Sequence, residues 1–412
     1  MLLARFLNSL IRVGALTLIE ANGRVHHFGG GDPAVTIRLH DPKLGRRMFL
    51  QPELAVGTAY MDGTLTIENA SLYEFLDLVG RNYARARRAN LNGPFDRLMR
   101  PFRRFASFNS RGRARRNAAH HYDLSGALYD LFLDPDRHYS CAYFTRDSDG
   151  LEVAQLQKCR HIAAKLLLEP GMRVLDIGSG WGGMALYLGE TFDVEVVGIT
   201  LSEEQLKMSR QGAKRERVGS RVRFLLRDYR EEEGIYDRIV SIGMFEHVGS
   251  GHYANYFRVI RDRLNDDGVA LVHTIGHLDM PQPTSPWVRK YIFPGGHIPA
   301  FSEVAAAIER SGLLMTDVEV LRLHYAETLR RWRMRFLANR ERAKQLYDER
   351  FCRMWEFYLA GSEIAFRYMN LCVFQIQLAK HIDAMPLTRD YMVDVERKIA
   401  AKEDVSSRKR TA

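Results

Sequence analysis

The chain is 412 residues long, 46% hydrophobic and 27% charged, with 60 basic against 50 acidic residues and a formal charge of +10. That leaves room for about two domains of some 150 residues each, and the composition excludes a disordered, fibrous or disulfide-stapled chain. Twelve arginines and a single acid, Asp96, fall between Arg81 and Arg116, so this block holds all of the excess charge and the remainder is close to neutral.

The opening stretch MLLARFLNSLIRVGALTLIE is interrupted by Arg5 and Arg12 and has no small-residue cleavage site, which argues against a signal peptide. Leu2, Leu3, Phe6, Leu10 and Val13 recur at helical spacing, as in an amphipathic helix. Charge-free apolar runs here reach only about seven residues, far from the ~20 that span a bilayer, so this segment is expected to lie on a membrane. The runs ALTLIE, RVHHFG, AVTIRLH and LTIEN follow, broken by Asn22-Gly23, Gly29-Gly30-Gly31-Asp32-Pro33 and Asp62-Gly63. They predict a small antiparallel sheet, then a helix over 71–80, together a separate α+β module over residues 1–100. The basic block forms a helix and linker through residue 118. Its interleaved Tyr83, Phe95, Phe102 and Phe105 suit an anionic membrane surface, and no nucleic-acid motif accompanies it.

From residue 151 the rhythm becomes strand, helix, strand, helix. RVLDIG, VEVVGIT, VRFLLRD, DRIVSIGM and GVALVHTIG alternate with amphipathic segments, including helices from Ser202 and over 252–264. Apolar strands covered on both faces imply a doubly wound, Rossmann-like α/β domain, placed at 119–385. Residues 326–382 read as helical, and 386–412 as a loose polar tail. Cys141, Cys159, Cys352 and Cys372 contain no C-x-x-C pair, so a reducing cytoplasm is expected and a structural zinc site is not. His120, His121 and His138 invite a metal reading, but no acidic or cysteine partner stands at ligand spacing in the sequence.

VLDIGSGWGG, residues 174–183, sits where a first strand meets its helix, so its glycines permit a tight turn and close approach of a nucleotide. Gly178, Gly180 and Gly183 satisfy a dinucleotide template; Asp176, Gly178, Gly180 and Gly182 satisfy that for S-adenosyl-L-methionine. A nicotinamide site wants an acid at the end of the second strand. Here that strand ends Gly198-Ile199-Thr200, which favours the methyl donor, with Asp176 near its amino group. Thr200, Ser202 and Gln205 suit a ribose, although Ser202 and Gln205 equally make a helix capping box. Asp228 closes the third strand, where a carboxylate would accept from an adenine amino group.

Longer strings carry a resemblance. HYDLSGALYDLFLDP, YSCAYF, LDIGSGWGG, GITLSEEQ, VSIGMFEHVG, LVHTIG and PWVRKYIFPGG together resemble the cyclopropane-fatty-acyl-phospholipid synthases, and secondarily the mycolic acid cyclopropane synthases, over residues 119–380. The first module is more weakly similar to the lipid-binding domain of the bacterial phospholipid enzymes. One departure is Ser179, where the family's loop commonly has cysteine. The resemblance implies donor contacts from Tyr139, Ser140, Gly178, Gly180, Thr200, Leu201, Gln205, Asp228, Tyr229 and Ile242. It also implies a bicarbonate ion held near Cys141, Glu246, His273 and Tyr325, with Ile275 contributing backbone, and a homodimer acting on unsaturated acyl chains of membrane phospholipid. Trp287, Tyr291 and Phe293 are read as acyl-channel lining or ordinary core. Two other functions remain open: a fatty-acyl methyltransferase making branched chains, and a non-catalytic lipid-binding adaptor with a vestigial donor site.

Overall fold

A computed structural model describes residues 2–88 and 125–411. Most of the basic block, and His120 and His121, lie outside the described residues. The chain divides into two units that interleave in sequence: one takes residues 1–106, 282–294 and 325–371, the other 107–281, 295–324 and 372–412. The expected boundary between residues 100 and 119 is therefore only one of several crossings. Residues 282–294 and 325–371 lie in the stretch read as catalytic, yet they pack with the first unit.

The first unit begins with helix α1 (Leu2–Leu10) and strands β1 (Gly14–Ile19), β2 (Val25–Gly30) and β3 (Ala34–Leu39). Helices α2 (Leu44–Leu50) and α3 (Pro52–Met61), strand β4 (Leu65–Ile67) and helix α4 (Leu72–Arg88) follow. Asn22-Gly23 makes the first hairpin, with Gly23 at a φ of 84°. The sheet has the order β2-β1-β3-β4 and is mixed: β1 pairs antiparallel with β2 but parallel with β3. The expected all-antiparallel sheet is corrected here. After the glycine turn the chain crosses to the far edge of β1, and alternation along a strand does not say which edge its successor takes. Helix α4 starts at a reciprocal cap, Ser71 Oγ accepting from the Glu74 N–H while the Glu74 carboxylate accepts from the Ser71 N–H. It runs to Arg88, well past the expected 80.

Among the described residues four later helices complete this unit: α10 (Pro286–Tyr291), α12 (His324–Ala338, from Tyr325 onward), α13 (Arg340–Leu346) and α14 (Glu349–Tyr368). A Cβ on Gly80 would stand 2.6 Å from Ile364, and one on Gly57 would stand 2.5 Å from Trp287. Trp287 is thus core, wedged between α3 and Phe357, rather than a channel wall. Leu3, Leu7 and Ile11 face that core, leaving Leu2 and Phe6 exposed beside Phe49, Leu50 and the exposed cations Arg5, Lys43 and Arg46. The rings of Phe6 and Phe49 lie 6.4 Å apart.

The second unit holds a seven-stranded sheet between helical layers. Its strands are β5 (Arg173–Ile177), β6 (Glu195–Thr200), β7 (Val222–Leu226), β8 (Tyr236–Ile242), β9 (Leu264–His277), β10 (Leu314–Val320) and β11 (Leu371–Ala379), in the order β10-β11-β9-β8-β5-β6-β7. Strands β5 to β9 pair parallel, and β10 pairs antiparallel with β11. Alternate residues feed opposite cores: Val174, Val196, Val240 and Leu271 on one face, Leu175, Val197, Ile239, Ala270 and Val272 on the other. After the short helix α5 (Gly126–Tyr129), helices α6 (Leu151–Leu166), α7 (Gly183–Thr191), α8 (Glu203–Arg215), α9 (Tyr253–Arg263) and α11 (Phe301–Glu309) cover the sheet.

Two expectations fail here. LCVFQIQLA, read as helix, is the buried strand β11; a nine-residue apolar run fits either structure, and Asn370, at a φ of 55°, ends α14 just before it. The tail read as loose is helix α15 (Asp390–Thr411). It is docked by Met392 and Ile399, and by Glu403, which accepts from Arg160 at 2.6 Å and Tyr187 at 2.8 Å. Too few apolar residues mark this helix for periodicity to find it.

Asn82 pins the first unit. Buried in α4, its Oδ1 accepts from the N–H groups of Arg12 and Val13 at 2.7 and 2.9 Å, and its Nδ2 donates to the carbonyls of Val13 and Leu78. Asn82→Ala strips partners from these backbone groups and should cost about 2–3 kcal/mol. Urea unfolding of the full chain followed by the first unit's fluorescence will show it; an unchanged midpoint would refute the pin.

Candidate active site

The C-terminal ends of β5, β6, β7 and β8 converge on one cavity of about 1260 Å³, its open mouth included. Ligands bind at this edge of open α/β sheets because the strands end there and loops diverge. The glycine turn after β5 forms its floor. Gly178 has a φ of 79°, and a Cβ there would stand 2.8 Å from Met244; one on Gly183 would stand 2.7 Å from His138 Nε2. Side chains at either position would fill the cradle or push its walls apart.

All eleven residues expected to touch the methyl donor line this single cavity: Tyr139, Ser140, Asp176, Gly178, Gly180, Thr200, Leu201, Gln205, Asp228, Tyr229 and Ile242. Asp176 is buried, and its Oδ2 has no hydrogen-bond partner among the described residues. Burial pushes its carboxyl up to about 7 against the pull of Lys158 and His138. Thr200 Oγ1 donates to Gln205 Oε1 at 2.8 Å, so Gln205 does not close the expected capping box; Ser202 Oγ alone caps α8, accepting from the Gln205 N–H. Both oxygens of Asp228 accept from Arg230, at 2.8 and 2.5 Å, and the guanidinium lies over the Tyr229 ring. An adenine amino group reaching Asp228 must share it with that cation.

Sequence reasoning missed several lining residues. Lys158, wholly buried in α6, donates to Ser140 Oγ at 3.1 Å, and no local motif announces it. Trp181, inside the glycine loop, carries Arg137 over its ring at 5.1 Å. His138 has close partners after all: Asp134 Oδ2 lies 2.9 Å from its Nδ1 and Cys159 Sγ 3.4 Å from its Nε2. The expectation that no acidic or cysteine partner lies at ligand spacing is overturned: Asp134 and Asp136 stand only four and two residues before His138, and Cys159 arrives from α6, 21 residues on. Asp134, Asp136 and His138 lie within metal-ligand reach of one another. Both His138 nitrogens have protein partners, so Asp134, His138 and Cys159 form a hydrogen-bonded triad. Burial and Lys158 work against its charge, but Cys159 and Asp134 prevail and raise its pKa to about 9.

Four of the five expected catalytic residues belong to the same unit. Glu246 stands in sequence between cavity-lining Met244 and His247; its Oε1 accepts from the Ile275 N–H at 2.6 Å, while its buried Oε2 has no partner among the described residues. Burial lifts its carboxyl to about 7, opposed by that N–H, by its own backbone N–H and by the Thr274 hydroxyl. His273, two residues before Ile275 on β9, is 3% exposed. Burial, with Lys158 and Lys165, holds its pKa well below the usual histidine range, so the ring is neutral. Cys141 is buried beside Ser140, its thiol donating to the Ala142 carbonyl at 3.3 Å. Tyr325 belongs to the first unit, its ring 4.8 Å from that of Phe366 and 5.8 Å from that of Trp332.

A doubly wound sheet, a glycine turn, an unpartnered strand acid and no acid closing the second strand define an S-adenosyl-L-methionine-dependent methyltransferase. The family model for mycolic acid cyclopropane synthetase matches residues 109–376. The cyclopropane-fatty-acyl-phospholipid synthase of Escherichia coli is 37% identical over 361 residues, 86% of this chain and 90% of that one. Tuberculostearic acid methyltransferase UfaA1 of Mycobacterium tuberculosis is 35% identical over 405 residues, 92% of this chain and 91% of that one. Among solved structures, mycolic acid cyclopropane synthase CmaA1 complexed with SAH and CTAB superposes with a TM-score of 0.62 at 36% identity, covering 66% of this chain and 99% of that one. The chain belongs to the mycolic acid cyclopropane synthetase family and is a methyltransferase of the cyclopropane fatty acid synthase type.

The unpartnered Asp176 predicts a pH dependence. A donor ammonium favours the ionised carboxylate, so binding below pH about 7 must expel a proton, and affinity should fall as pH drops through that value. Calorimetry in buffers of different ionisation enthalpy should detect the released proton. Asp176→Asn should weaken binding and flatten the profile; a profile of unchanged slope in that variant would assign the proton elsewhere.

Proposed function

We propose that this enzyme transfers a methylene group from S-adenosyl-L-methionine to the cis double bond of an unsaturated acyl chain in membrane phospholipid, closing a cyclopropane ring. Glu246 carries the reading: a buried carboxylate pinned by one backbone N–H and holding a second, unpartnered oxygen next to donor-cavity residues. An isolated alkene is a weak nucleophile with no proton to lose beforehand, so methylation generates a carbocation. The new methyl must then give up a proton. A dry pocket that aligns alkene, methyl and sulfur, and that places negative charge nearby, meets both demands.

The residues suit a bound bicarbonate. Glu246 Oε2 is a buried acceptor lacking a donor, His273 is a neutral imidazole, and Cys141 is a buried thiol with no need to act as a nucleophile. These three, with the Ile275 backbone, would hold the ion. When bound, bicarbonate supplies an anionic base beside the developing cation. Glu246 orients and His273 positions by hydrogen bonding, and neither forms a covalent bond with the substrate.

The first unit supports a lipid-binding role. Its exposed Leu2, Phe6, Phe49 and Leu50 adjoin Arg5, Lys43 and Arg46, the combination that enters a headgroup layer while cations meet phosphates. With the arginine block, this suits peripheral attachment to an anionic membrane, each near-surface cation adding up to about 1 kcal/mol. No described helix is long and apolar enough to cross a bilayer. A second reading, a branched methyl product, is favoured by the extent of similarity to the tuberculostearic acid methyltransferase.

Incubation with labelled donor and monounsaturated phospholipid, followed by fatty-acid analysis, decides between them. A gain of one methylene with the unsaturation equivalent retained is expected; uptake of hydrogen as well would establish the branched product. Glu246→Gln and His273→Ala should each lower kcat by about a hundredfold or more while leaving donor affinity intact; lost donor binding would contradict their assignment. Phe6→Ser with Leu50→Ser, or neutralised arginines within 81–116, should weaken binding to anionic vesicles without altering donor affinity. Undiminished vesicle binding in both would remove the membrane role from these surfaces.

A further inference from the structure

We infer that Gln375 is a positioning residue that holds His273 in a single tautomer, with its proton on Nε2. The inference rests on the role proposed for His273 and extends it to the groups that impose that role. His273 on β9 and Gln375 on β11 are both buried, and His273 Nδ1 lies 3.2 Å from Gln375 Nε2. The orientation of the amide is dictated by its other end. Gln375 Oε1 lies 2.8 Å from the ammonium of Lys165, itself wholly buried in α6. An ammonium has only hydrogens to offer, so the amide oxygen must face Lys165 and the amide nitrogen must face His273. That nitrogen donates. His273 Nδ1 must therefore accept, and a neutral imidazole accepting at Nδ1 carries its proton at Nε2.

Lys165 is in turn held by a charge cluster reaching the C-terminal helix. Its ammonium pairs with Glu319 on β10, and Glu319 Oε2 lies 2.6 Å from His161 Nε2. His161 Nδ1 faces Glu396 on α15. With a carboxylate at each ring nitrogen, His161 must carry both hydrogens as an imidazolium; burial opposes this, but its bonds to Glu319 and Glu396 raise its pKa. Tyr143 stacks on the His161 ring at 4.1 Å. Two cations and two anions thus balance, with Glu319 and Glu396 at the partly exposed end, 24% and 28% open. Gln377, the other polar side chain on β11, donates to the Lys165 carbonyl at 2.6 Å and holds the same helical turn. The polar order runs from α15 through His161, Glu319, Lys165 and Gln375 to His273. It makes His273 a hydrogen-bond donor from Nε2 and leaves it unable to serve as the proton acceptor through Nδ1.

Nitrogen-15 NMR of the histidine-labelled full chain tests this without any substitution in the chain of contacts, His273→Ala serving only to assign the resonance. An unprotonated Nδ1 and a protonated Nε2 are expected; the reverse tautomer or an imidazolium at neutral pH would overturn the inference. Gln375→Glu is the matching variant of equal shape. Its carboxylate accepts from both neighbours, so His273 should invert to Nδ1–H, with kcat down about tenfold or more and donor Kd unchanged. A tautomer that does not invert would refute Gln375 as its determinant. An inverted tautomer with unchanged kcat would leave the determinant standing and overturn instead the role given to His273.

Discussion

Two carboxylates, Asp176 and Glu246, are buried at one edge of a parallel sheet, each with an oxygen that finds no partner among the described residues. Taking a carboxylate out of water without full compensation costs several kcal/mol, and both groups answer by shifting toward protonation near neutrality. Asp176 lines the cavity at the ends of β5 to β8, and Glu246 stands in sequence between two further residues of its lining, Met244 and His247. Apolar cores lie on both faces of the sheet, and the turn's glycines put no side chain into the cavity on which the strand ends converge.

The same low-dielectric setting explains how the remaining polar groups are arranged. Lys158 donates to Ser140, His138 is braced by Asp134 and Cys159, and Lys165 sits in a balanced cluster of two cations and two anions. Each is a buried charge or polar group with a named partner, which is the condition for burying it. The cluster around Lys165 also gives the C-terminal helix a reason to exist. Glu396 and Glu403 on α15 contact His161 and Arg160 on α6, so a segment of weak hydrophobicity is held by charge as much as by Ile399.

The net charge of the chain has a local meaning. Because the arginines between 81 and 116 account for all of the excess, the rest of the chain is close to neutral. Apolar side chains and cations share one exposed surface of the first unit, where Phe6, Phe49 and Leu50 adjoin Arg5, Lys43 and Arg46. A substrate whose reacting bond lies inside a bilayer needs such a surface, since the acyl chain must leave the membrane to reach a dry site.

Much of the donor site was legible from local strings, because strand, glycine turn and helix follow one another within ten residues and the turn's geometry forces its glycines. The sequence by itself determined the alternating strands of the α/β unit, the acid Asp176 inside its first strand, the absent acid after its second, and the concentration of charge in one block; all of these depend on neighbours along the chain. What lay beyond it depended on neighbours in space. The parallel pairing of β1 with β3, β11 as a strand rather than a helix, α15 as a docked helix, and the return of residues 282–294 and 325–371 to the first unit are decided by what each segment packs against. Lys158, Cys159 and Gln375 belong to that second group. A lysine, a cysteine and a glutamine have no meaning by spacing, and acquire one only where burial removes water and leaves a single partner for each hydrogen.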